Sequence, residues 1–179
     1  MANVDKPLGF KPLRRMGGGV VNMNSYTLDA TTVAIKKGDV IVAVNAGTVD
    51  GAESSADPFV GAAPIVGIAA EDKASNAGGS ILVYDDPDLV FVAQMDDGTT
   101  VGGAGSSAMN LNYDIISTAS GVNTSIMEID ESSGVADADT PIKVIRLYPV
   151  EDNAHGEFAR YECIWSQHQG KSSGGSLGV

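Results

Sequence analysis

Apolar and polar positions along this chain alternate in short runs, broken by Gly, Pro, Asp and Asn. The clearest run, Arg160 to Gln169 (RYECIWSQHQ), puts Tyr161, Cys163 and Trp165 on one face and Arg160, Glu162 and Ser166 on the other. That two-residue period is the signature of a strand. Pro141 to Tyr148 (PIKVIRLY) is apolar on both faces, which suits a central strand. Val20 to Leu28 reads as a first strand, and Thr32 to Ile35 with Val40 to Val44 reads as a hairpin around Lys36-Lys37-Gly38-Asp39. Ile65 to Ala69, Ile81 to Tyr84, Leu89 to Gln94, Asn110 to Ser117 and Ser125 to Ile129 are further β-branched or apolar runs. No stretch repeats apolar residues at helical spacing over three turns.

The pattern predicts a mainly β protein, a single barrel or sandwich of about nine or ten short strands. Asn45 to Asp57, the Gly- and Ser-rich Met95 to Ala108, and the acidic Glu131 to Asp139 read as loops. Pro149 to Phe158 is a polar connection with room for one helical turn. The expected organisation is an extended basic arm (1–19), a β body (20–170) and a flexible tail (171–179).

Charge sharpens that division. Met1 to Gly19 carries Lys6, Lys11, Arg14 and Arg15 against Asp5 alone, a net of +3. The remaining 160 residues hold 7 basic and 22 acidic side chains, a net of −15. A body this acidic repels phosphates, so nucleic acid is not an expected partner. No apolar run approaches the ~18 residues of a membrane span. Arg14-Arg15 is followed by Met-Gly-Gly-Gly rather than an apolar export segment, so the expected compartment is a cytoplasm. The arm holds apolar anchors Leu8, Phe10 and Leu13 beside Lys11, Arg14 and Arg15, and Pro7 and Pro12 stiffen it near extended geometry. These six side chains are the candidate contacts to a partner or a sister subunit, and stiffening lowers the entropy lost on docking. On this reading, removing residues 2–16 leaves a folded body with unchanged melting.

Signals for chemistry are sparse. The single Cys163 excludes an internal disulfide, and it does not stand at metal-ligand spacing from His155 or His168. Cys163 and His168 fall on opposite strand faces by parity, which disfavours a catalytic dyad. No G-x-S-x-G elbow occurs, and neither Gly-rich run leads into a phosphate-loop pattern. No catalytic residue, cofactor or metal ligand is therefore assigned. The carboxylates Asp85-Asp86-Pro87-Asp88 and Asp96-Asp97 are the best material for a Ca²⁺ site, although Asp-Pro and Asp-Gly are also ordinary turn chemistry.

Several short motifs together resemble a known family. They are Pro7-Leu8-Gly9-Phe10-Lys11-Pro12-Leu13-Arg14-Arg15, Lys37-Gly38-Asp39, Gly67-Ile68-Ala69 and Asp85-Asp86-Pro87-Asp88-Leu89-Val90-Phe91. Ile142 to Leu147, Asp152-Asn153, Tyr161-Glu162-Cys163 and His168-Gln169 continue the match. The chain resembles the decoration, or cement, proteins of tailed-bacteriophage heads. The resemblance implies a non-enzymatic virion protein on the outer capsid surface, assembled in the host bacterial cytoplasm. Its implied partners are the major capsid protein and sister copies, as a homo-oligomer for which a trimer is one option. A footprint of ~1,000–1,500 Å² is standard for specific association, and many copies per shell add avidity. The alternatives are another virion component, such as a tail-tube or head–tail connection protein, and an acidic Ca²⁺-dependent binding module.

Overall fold

In the computed structural model the described residues form eleven strands in two antiparallel sheets, with almost no helix among them. The structure describes residues 3–30, 33–44, 47–52, 64–96, 109–117, 124–136 and 140–171. The strands are β1 (Lys11–Arg15), β2 (Asn24–Thr27), β3 (Val40–Ala43), β4 (Val49–Gly51), β5 (Ile65–Ala69), β6 (Ser80–Tyr84), β7 (Leu89–Gln94), β8 (Asn112–Ser117), β9 (Met127–Val135), β10 (Ile142–Leu147) and β11 (Arg160–Trp165). The larger sheet has the order β1-β7-β11-β10-β8-β9, and the smaller β2-β6-β5-β3-β4. Among the described residues, no helix is long and apolar enough to cross a membrane.

The main core draws side chains from both sheets. Val40, Val42, Ile65 and Ile68 of the smaller sheet meet Leu89, Phe91, Ala93, Ile142, Val144, Tyr161, Cys163 and Trp165 of the larger. A second core, built on Ile41, Val66, Ala69, Ile81 and Val83, covers the other face of the smaller sheet. Residues of β5 therefore serve two cores, yet Ile65 and Ile68 are three apart rather than two. A bulge in the β3–β5 register absorbs the extra residue. Gly67 sits there because a Cβ would lie 2.1 Å from the Tyr84 carbonyl oxygen.

Both sheets curl. Met95 bridges Ile129, and the Asp96 N–H donates to the Ile129 oxygen at 3.0 Å, joining the end of β7 to β9. In the smaller sheet Leu28 bridges Val49, and the Asp29 N–H donates to the Val49 oxygen at 3.0 Å.

The structure corrects several readings of the sequence. Residues 11–15, expected within the extended arm and outside the β body, form the edge strand of the larger sheet, paired antiparallel with β7. Ile35 does not pair with β3 as a hairpin. It bridges Lys73, while β3 pairs with β4 and β5. The Asp39 carboxylate instead accepts the Lys36 N–H at 2.7 Å, closing the turn with the strands held apart. Val49–Gly51, expected in a loop, is a strand because β3 supplies its hydrogen bonds. The acidic stretch from Glu131 begins in β9, which runs on to Val135 opposite Asn112 of β8. The Gly/Ser-rich segment from Asp97 to Ala108 and the tail beyond Lys171 lie outside the described residues.

Candidate functional site

The basic N-terminal segment is held to the body at every level of structure. Gly9 takes φ +65°, a left-handed turn that aims Phe10 inward. Phe10 is 1% exposed, 5.5 Å edge-on from Phe91 and 6.3 Å from the Trp165 ring, and its N–H donates to Gly38 O at 2.9 Å. β1 then pairs with β7, and Arg14 and Arg15, adjacent on the strand, turn to different partners. Arg14 Nη1 donates to Glu162 Oε2 at 2.8 Å, and Arg146 Nη2 donates to the other oxygen, also at 2.8 Å. Arg15 Nε lies 2.5 Å from Asp86 Oδ2, an ion pair whose carboxylate is buried. Upstream, the Asn3 side chain donates to Ala154 O and Glu157 O at 2.8 and 2.7 Å.

Glu162 is buried at the centre of this clamp. Burial opposes its ionisation, but the hydrogen bonds from Arg146 and Arg14 outweigh it and hold the carboxyl below its usual range. A carboxyl with a lowered folded pKa adds stability that is complete above the unfolded value, about 4.3, and is lost as pH falls through the folded one. Glu162→Gln is therefore expected to destabilise by about 1–3 kcal/mol at neutral pH. The gap to the parent narrows as pH drops below about 4.3. Thermal melts of both proteins between neutral and acid pH check this, and a gap independent of pH rules the clamp out. His168, whose pKa burial lowers, also destabilises on acidification, but equally in both proteins.

The Asp85–Asp88 loop proves to be a clasp between edge strands. Asp85 accepts Tyr26 Oη–H at 2.6 Å and Asn24 Nδ2 at 2.8 Å, tying down β2. Burial, then the Asp85 hydrogen bond and charge, push the Tyr26 phenol up to about 12. Asp86 holds Arg15 and accepts the Asp88 N–H at 3.0 Å, while the Asp88 carbonyl accepts the Met16 N–H at 2.9 Å. Among the described residues no group of three or more His, Cys, Asp or Glu is placed to hold a metal ion.

The six predicted contact residues separate into two sets. Phe10 is enclosed, and Arg14 and Arg15 are committed to Glu162 and Asp86 while remaining partly exposed. Leu8 and Lys11 line two clefts on either side of the segment, of about 580 and 330 Å³. Leu13 is exposed. Sequence reasoning missed Met16, Val20 and Met23, which extend the exposed apolar strip beyond β1, and also Lys37, which lines the larger cleft. Their signal was present, since bulky apolar residues beside a Gly triplet and Asn have little to pack against.

Cys163 and His168 are both accounted for structurally. The thiol is buried, which pushes its pKa well up. The Gly170 N–H donates to His168 Nδ1 at 2.9 Å, so Nε2 carries the proton it gives to Val66 O at 2.8 Å. Comparison of the chain with protein-family models, with curated proteins and with solved structures finds no match.

Proposed function

We propose that this chain is a non-enzymatic virion protein that binds the outer surface of a tailed-phage capsid and stabilises it. In this reading the body is a sandwich of two curled sheets, and the N-terminal segment presents the contact surface rather than swinging free. The observation that carries it is where bulky apolar side chains are exposed. Of the seven found among the described residues, five (Val4, Leu13, Met16, Val20 and Met23) fall within residues 4–23. They lie among Lys6, Lys11 and Arg14 on a chain that is otherwise strongly acidic. A clustered apolar strip with a basic rim marks a protein-binding surface, whereas scattered exposed residues carry no such meaning.

Co-sedimentation of the purified protein with undecorated, expanded heads tests the reading. The parent should bind and raise the heads' resistance to heat. The triple variant Met16→Ser, Val20→Ser, Met23→Ser should melt as the parent does, because these side chains are 56%, 84% and 49% exposed. It should bind at least about tenfold more weakly, a loss of about 1.4 kcal/mol. Equal binding by the variant removes this surface from the proposal, and a parent that stays in the supernatant removes the capsid.

A further inference from the structure

We propose that copies of this chain associate by exchanging their first strand, so that Phe10 and β1 of one copy occupy the groove along β7 of another. This does not depend on the capsid reading. It rests on where the chain is gripped and where it is not. Every strong contact of the N-terminal segment lies at or before Met16: Asn3 on the 154–157 turn, Phe10 in the core, β1 on β7, and the arginines on Glu162 and Asp86. Val21, partly buried against the main core, marks where the body takes over.

Between them, residues 16–20 are exposed, and a Cβ added at Gly17, Gly18 or Gly19 would meet nothing within 4 Å. Gly18 and Gly19 take φ +79° and +96°, so the reversal that folds β1 back on its own body depends on two residues of glycine geometry. Among the described residues, the bend is braced, beyond the Met16 contact to Asp88, by one backbone bond, Gly18 N–H to Arg15 O at 3.1 Å.

Straightened, these five residues span about 17 Å, enough for β1 to leave its own groove for that of a copy lying alongside. Exchange recreates the same plug, ladder and ion pairs between chains. The balance is then set by local concentration against the effective concentration of the tethered strand, of millimolar order for a short flexible link.

Cysteine pairing distinguishes the two arrangements. Lys11 is directly opposite Val92 across the β1–β7 ladder, and antiparallel partners stand at Cα separations that a disulfide accepts. Lys11→Cys and Val92→Cys are placed on separate full-length chains, co-expressed, concentrated and oxidised. The expected result is a disulfide-linked dimer absent from either variant alone, with peptide mapping joining position 11 to position 92. The double variant on one chain serves as the control for pairing geometry. Deleting Gly18 and Gly19 in the mixed experiment shortens the bend and should raise the linked dimer several-fold. A double variant that closes only on itself, with no mixed dimer from either the normal or the shortened link, overturns the proposal. So does a double variant that does not close at all.

Discussion

Trp165→Ala is expected to lower the free energy of unfolding by about 3–5 kcal/mol, the range for truncating a large buried aromatic. Trp165 is fully enclosed at the end of β11, with its ring 4.5 Å from that of Phe91, 6.3 Å from Phe10 and 6.4 Å from His168. It touches the N-terminal plug, Phe91 of β7 and the turn that carries His168, so the void opens where three parts of the chain meet. Lys171 Nζ also donates to its carbonyl oxygen, which ties the end of the described chain to the same point. One feature moderates the loss. The indole Nε1–H is buried without a hydrogen-bond partner among the described residues, and an unsatisfied buried donor costs about 1–3 kcal/mol. Trp165→Phe, which removes that donor and keeps most of the ring, should therefore recover more than half of the stability lost in the alanine variant. Urea unfolding of the three proteins at one pH measures both differences. An alanine variant with the parent's midpoint would mean that β11 does not end in the core.

The strands that could be read from the sequence are those whose own side chains determine them. Ile65 to Ala69 is bounded by Pro64 and by acids, and β5 occupies those five residues. PIKVIRLY reads as a central strand because both its faces are apolar, and β10 lies between β8 and β11. What was not legible depends on partners distant in sequence. Lys-Pro-Leu-Arg-Arg has the proline and charges of an exposed strap, and it is a strand only because β7, more than seventy residues away, offers an edge. Those same features, with the bulge between Pro12 and Arg14, guard its outer edge against further pairing. Period-two alternation placed Glu162 on a polar face, and it is buried because Arg146 of the adjacent β10 and Arg14 of β1, reaching across β7, close over it. The Asp85–Asp88 cluster was readable as turn chemistry or a cation cage. Its use as a clasp depended on Tyr26 and Arg15, which nothing in the local sequence brings near. Of the candidate site, the chemistry was visible, and the fact that Phe10, Arg14 and Arg15 are committed to the chain's own body was not.

Phe10→Ala is the second large effect expected, and it bears on whether the segment is a free arm. If residues 2–16 were a separable strap, this change would leave melting untouched. Instead the side chain is 1% exposed and fills the space between Phe91, Trp165 and the smaller sheet, so its loss should lower stability by about 3–5 kcal/mol. Its position adds a consequence that Trp165 lacks. With the plug gone, β1 keeps its ladder, the arginine pairs to Glu162 and Asp86 and the flanking Asn3 and Met16 contacts, but loses its anchor in the core. Amides along Leu89–Gln94 should then exchange faster than in the parent, while those in β3 and β5 change less. Removing residues 2–16 outright should destabilise further and bare an apolar edge, Leu89-Val-Phe-Val-Ala-Gln94, of the kind that pairs with other chains. Aggregation at concentrations where the parent stays dispersed is the expected sign. Thermal melts, Trp165 fluorescence and hydrogen exchange on the Phe10→Ala protein check each step. Parent-like behaviour in all three would restore the free arm and remove the basis for strand exchange, because a strand that contributes nothing to its own body has no groove to take in a neighbour.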